Sequence, residues 1–373
     1  MSESALRPYL YAKAHAIYSR FITVEQMQSC LTSKTLAPAL DALALEQNAA
    51  LYMAQQASDT EFDLHEIYIS RLFKAISPGN PFSPLLTALC SEYEIRNVSL
   101  FLRQGDEAPR AAQSAQDKPP ASRAESPSVA PHPASRAVSY YVVPARGKTL
   151  FSEEVFTLPR DKVMRILGQS EYAPLVNRWN EAHNIVVLNA DLEKLYCRRI
   201  ERAIKTIPGQ DRAVIRRLFE QRLSLRVTLE ALRMQRTFRI DKESIPALLY
   251  LPTAAIRHDV HNLLHTEHFG SIIDALPRWA RVRARDAEVK HPDLRSVNAD
   301  PELNPSDLAH LENIAAIVLL QIYRHTFHLY HHGYVPLYCY YHLLKREIQN
   351  VMLLVNGIRF GVDAETFKAE LVY

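Results

Sequence analysis

The chain has 373 residues, 47% of them apolar, with 9 glycines against 22 prolines and a formal charge of +3 at pH 7. So balanced a charge argues against a protein that coats nucleic acid, and the shortage of glycine argues against a sheet protein, which needs frequent glycine turns. The length suggests two or three folded units, mostly helical.

The opening MSESALRPYLYAK has no apolar signal core, and the longest aliphatic run, Ile314 to Leu320, is far short of the roughly 20 residues that cross a bilayer. Cys30, Cys90, Cys197 and Cys339 stand alone, without a C-x-x-C pair or a disulfide spacing, which fits a reducing compartment. Residues 22 to 43 then predict a helix-turn-helix with its hinge at Thr32-Ser33. A long helix pair follows, HEIYISRLFKAI and PLLTALCSEYEIRNVSLFLR, parted by a Pro/Gly break.

Residues 104 to 148 break the pattern with seven prolines and few large aliphatics before Tyr140. Such a composition buries too little apolar area to offset its chain entropy, so a largely disordered insertion is expected over 105–148. Its end contains Gly147-Lys148-Thr149, the tail of a phosphate-binding loop, but Val142 stands where that motif needs glycine.

Beyond it the plan recurs. Residues 158 to 179 predict a second helix-turn-helix with its hinge at Gln169-Ser170, followed by the pair ADLEKLYCRRIERAI and DRAVIRRLFEQRLSLRVTLEALR around Pro208-Gly209. Residues 251 to 277 predict a third, hinged at Thr266-Glu267, followed by LENIAAIVLLQIYRHTF and VPLYCYYHLLKREIQNVMLLV around Gly333. The expectation is therefore an all-α chain of three degenerate repeats, 1–104, 149–250 and 251–373.

The signature of the repeat is E-I-x-N-V, at Glu94 to Val98 and again at Glu347 to Val351, with Arg103 and Gly357 marking the helix ends. Ile95, Val98 and Leu102 form one apolar stripe, repeated by Ile348, Val351 and Val355. Asn97 and Asn350 sit at its margin, one turn from Glu94 and Glu347. An amide there is a poor helix former unless it bonds something specific, so a structural cross-link is expected rather than a catalytic pair. In the middle copy the Asn position falls on Val227 if Arg233 is matched to Arg103. It falls on Thr228 if FRIDKES is matched to FGVDAET.

No catalytic, cofactor or metal set emerges. His258, His261, His265 and His268 share one helix face, and one straight helix offers a metal only two neighbours at a time. His325, His328, His331 and His332 surround a helix end, where imidazoles can cap carbonyls. RWARVRAR at 278 to 285 and the arginines between Arg198 and Arg239 make a local basic surface without interleaved exposed aromatics, so nucleic acid is not an expected partner. Arg216, Arg226, Arg233 and Arg236 are the candidates for polar contacts with other proteins.

Taken together, YLYAKAHAIYSRFITVEQM, SEYEIRNVSLFLRQG, LLYLPTAAIRHDVHNLL and LYCYYHLLKREIQNVMLLVNGIRFGVDAETFKAELV resemble the C-type subunit of V-type (A-type) ATPases, the relative of the vacuolar ATPase d subunit. The insertion, the missing middle Asn and the basic balance depart from that family's pattern. The resemblance implies a funnel of three helical domains with approximate threefold symmetry and no catalytic role. It implies one copy per complex, joining the central stalk to the membrane rotor ring and passing torque for proton or sodium transport, with ATP chemistry in other subunits. It also implies a peripheral place on the cytoplasmic side of the cell membrane, without a cofactor. The alternative is an all-helical repeat scaffold for other protein partners, with a continuous groove.

Overall fold

The computed structural model describes residues 83–116, 140–141, 143, 150–266, 269, 271–290, 305–331 and 333–362, and 11–12, 14–16, 18–19, 21, 23, 25–26, 29 and 32 near the start. Among the described residues every regular element is helical and no strand occurs, as the scarcity of glycine predicts. Of the hinge expected at Thr32-Ser33 only Thr32 is described, its hydroxyl donating to the Ser29 carbonyl at 2.7 Å, and the helix HEIYISRLFKAI and most of the insertion lie outside the described residues.

The chain forms two compact units, 90–192 and a second made of 1–89 with 193–373. These are units of packing and not of internal similarity, so they need not follow the repeat boundaries.

In the unit 90–192, the long helix α1 (Ser83–Gln116) is joined by α2 (Glu153–Phe156), α3 (Arg160–Gly168), α4 (Ala173–Ala182) and the start of α5 (Ile185–Lys205). Its apolar centre includes Tyr93, Val98, Leu102, Val163, Leu167 and Tyr172, none more than 1% exposed. The expected helix-turn-helix is present: α3 packs on α4, with Gln169 and Ser170 between them. Ser170 makes the hinge by donating its hydroxyl to the Leu167 carbonyl at 2.7 Å and accepting the Tyr172 amide at 3.1 Å. Such local bonds are why serine favours turns over helix interiors. Helix α1 carries on to Gln116, past the boundary expected at 104; Ala108, Ala111, Ala112 and Ala115 belong to the strongest helix former.

The other unit packs α6 (Gly209–Leu232), α8 (Ala254–His265), α9 (Arg278–Lys290), α10 (Pro305–Leu329) and α11 (Tyr334–Phe360), with the short α7 (Ile245–Leu248) beside α8. The α10–α11 hairpin buries Leu311, Ile314, Val318, Phe327, Val335 and Tyr338. Ala280, Ala284 and Ala287, all fully buried, give α9 a small-residue face on a helix that packs against α10. One expectation fails here. The second helix of the third helix-turn-helix is replaced by a 3-10 turn, Ile272–Ala275, capped by Ser271 and stopped before Pro277, which cannot continue a helix; α9 begins just after.

The turn between α10 and α11 sets the start of the signature helix. Gly333 adopts φ 92°, and the amide of the next residue, Tyr334, donates to Asp211 at 2.9 Å. A Cβ on Gly333 would strike that same carboxylate. We expect Gly333→Ala to lower stability by about 1–3 kcal/mol through strain and loss of this cap. Urea denaturation of the two proteins reads the difference, and coincident curves would refute it.

Candidate functional site

The repeated helix carries two polar side chains into the interior. Glu94 is 1% exposed and Asn97 is fully buried, which demands that each be satisfied. The Asn97 amide donates to the Tyr141 carbonyl at 2.8 Å, and its oxygen accepts the Tyr141 amide at 2.8 Å. It thus pairs with an extended residue as a neighbouring strand would. The Glu94 carboxylate accepts the Phe151 amide on one oxygen and the Tyr172 hydroxyl on the other. Both partners return to α1 after the insertion, so these two residues hold the chain where it re-enters the fold.

Arg96 closes the arrangement. Its guanidinium lies 5.4 Å from the centroid of the Tyr141 ring and 3.0 Å from Glu92. Burial alone would lower its pKa, but Glu92, Tyr141 and Tyr93 outweigh that effect and hold it above the ordinary value. The site is a structural clamp, as the placement of a mid-helix amide predicts, although its partner is an extended segment and not another helix.

The third copy repeats the burial: Glu347 is 5% exposed, Asn350 3% and Val351 0%. Gly357 is buried and its carbonyl accepts the Val362 amide at 2.9 Å, ending the helix, while Arg103 in the first copy is exposed. The middle copy has no Glu or Asn, yet its pattern of buried and exposed positions over 221–232 follows that of 91–102 everywhere except at the first residue. This matches Ser224 to Glu94 and Val227 to Asn97. The competing register, read from Phe238, is displaced by one residue because Arg233–Thr237 form a π-helical turn, which takes up one extra residue. Both sequence alignments are therefore correct, one on each side of that turn.

The arginines divide. Arg226 lies 2.8 Å from Glu193, and Arg233 bridges Glu230, at 2.8 Å, and Glu312, so both hold helices together within the chain. Among the described residues Arg216 pairs with Glu220 one turn on, and its side chain is 67% exposed. Arg236 is half-buried, and its Nε, shut off from solvent, has no hydrogen-bond partner among the described residues.

The histidines are engaged locally. His258 lies 3.0 Å from Asn262, and His265 lies 2.8 Å from the His261 carbonyl; His268 is outside the described residues. His15 stacks on Phe327 and His331 meets the Tyr11 hydroxyl at 3.1 Å. Among the described residues no group of three or more histidines, cysteines or carboxylates is arranged to hold a metal ion. A cavity of about 320 Å³ beside α8 and α9 is lined by His258, Asp259, Asn262, Asp274 and Arg281 among others. Burial pushes the Asp259 carboxyl up, against the pull of His258 and Arg281. At the cavity Arg281 donates to the Leu276 carbonyl at 2.9 Å, and Asp274 lies 3.4 Å from Arg285.

Compared with known proteins, residues 153–370 match a family model described as ATP synthase (C/AC39) subunit. The match covers the second and third copies of the helical plan. No curated protein matches the chain significantly.

Replacing Asn97 by leucine would strand the Tyr141 amide and carbonyl in a dry interior. We expect Asn97→Leu to cost about 1–3 kcal/mol, against almost nothing for Ser99→Ala on the exposed side of the same helix. The urea midpoints of both variants check this, and equal midpoints would show that the amide pairing does not anchor the segment.

Proposed function

Because the chain belongs to the ATP synthase (C/AC39) subunit family, we propose that it is the non-catalytic rotor adaptor of a V-type ATPase, seating the central stalk on the membrane rotor ring and passing torque between them. The family match over 153–370 carries this reading. The physical character of the chain supports it. An adaptor that transmits torque must deform little under load, and close-packed helices joined by buried polar clamps and inter-helix ion pairs meet that need.

In this reading the three copies, 1–104, 149–250 and 251–373, form a funnel with approximate threefold symmetry, one copy of the chain serving each complex. The shared burial pattern of 91–102 and 221–232, with the equally buried Glu347 and Asn350, favours such a repeat over unrelated helices. No described helix is long and apolar enough to cross a membrane, so attachment at the cytoplasmic face runs through the ring. Arg216, whose side chain is 67% exposed, is better placed than Arg226, Arg233 and the half-buried Arg236 for salt-sensitive contacts with the stalk or ring.

The test is to reconstitute the ATPase in vesicles with and without this chain and to follow ATP hydrolysis and ion uptake together. Without it, uptake should fall to background while hydrolysis by the catalytic subunits persists. Coupled uptake in its absence would reject the proposal.

A further inference from the structure

Two of the large apolar side chains left in solvent occupy the same place in the repeat. Phe238 is 52% exposed and Phe360 is 75% exposed. Each closes a long signature helix, and each is followed by a residue in the left-handed region, Arg239 at φ 52° and Gly361 at φ 62°. Two residues past each phenylalanine the chain turns back on its helix by a wide backbone bond, from the Ile240 amide to the Met234 carbonyl and from the Val362 amide to the Gly357 carbonyl, both at 2.9 Å.

The two copies reach this arrangement at different cost. In the third copy glycine takes the left-handed position freely. In the middle copy an arginine is forced into it, and a π-helical turn adds the one residue that restores the register of Phe238. Strained backbone of this kind persists where the rest of the structure holds it for a purpose. An exposed phenylalanine does nothing for the core, so its repetition at the end of two independently built helices points outward.

Charge narrows the occupant. Arg239 is exposed and makes no ion pair among the described residues, and Arg359 precedes Phe360 in sequence. We propose that Phe238 and Phe360 are a duplicated docking element, each filling an equivalent apolar pocket with an acidic rim on one homo-oligomeric protein partner. A homo-oligomer offers the same pocket more than once by symmetry, whereas a monomer does not. Buried aromatic anchors beside arginine are the usual centres of such interfaces. The proposal rests on the adaptor reading for the existence of a symmetric partner, and goes beyond it in naming the anchors.

The test places the photocrosslinker benzoylphenylalanine at position 238, 360 or, as a control, at Val282, which is 67% exposed but outside the signature helices. The full chain is irradiated in native membranes. Positions 238 and 360 should label one and the same partner polypeptide, and position 282 should not. Labelling of two different polypeptides, of lipid, of other copies of this chain, or of nothing would overturn the proposal. In parallel, the double variant Phe238→Ala/Phe360→Ala should keep its helical content and unfolding temperature while its retention in the membrane complex falls about tenfold or more; unchanged retention would also overturn it. Crosslinks from both positions to one polypeptide outside the ATPase would keep the docking element and reject the adaptor reading. Two different ATPase subunits labelled would do the reverse.

Discussion

A carboxylate and an amide set one turn apart in the interior of a long helix can stay buried only if other parts of the chain come to meet them. Glu94 and Asn97 impose that condition on the unit 90–192. Asn97 presents a donor and an acceptor side by side, which the N–H and C=O of one backbone residue can match together. Tyr141 supplies it, and Glu94 then takes the Phe151 amide and the Tyr172 hydroxyl. The chain is pinned where it returns from the insertion, so α2, α3 and α4 start from a fixed point whatever the insertion does. Leaving any of these groups unpaired would cost more than pairing them gains, which makes the clamp specific as well as stabilising.

The same reasoning separates groups that hold the fold from groups available to others. Arg226 and Arg233 lie in ion pairs that join helices, and at their partial exposure each pair is worth about 0.2–1 kcal/mol, more a matter of geometry than of stability. Among the described residues, Phe238 and Phe360 at helix ends and the Arg216 side chain face solvent.

Much of this was legible in the sequence. The helical class, the α3–α4 hinge at Gln169-Ser170, the α10–α11 break at Gly333 and the burial of both Glu/Asn pairs all follow from periodicity and turn chemistry, which are local. The partner of Asn97 was not legible, because Tyr141 lies 44 residues away and contributes backbone atoms, which leave no trace in residue type. The 3-10 turn in place of a helix before Pro277 reflects the competition of Ser271 capping with helix propagation over too few residues. The one-residue conflict between the two alignments of the middle copy was itself the signal of the π-helical turn at Arg233–Thr237.

The central claim is that this chain turns with the rotor. It is tested most directly by single-molecule rotation: the assembled ATPase is immobilised through its catalytic head, and a bead is attached to this chain at position 282, which is 67% exposed. The account predicts unidirectional, ATP-dependent rotation of the bead. A bead that stays fixed while the enzyme hydrolyses ATP would place the chain on the stator and contradict it.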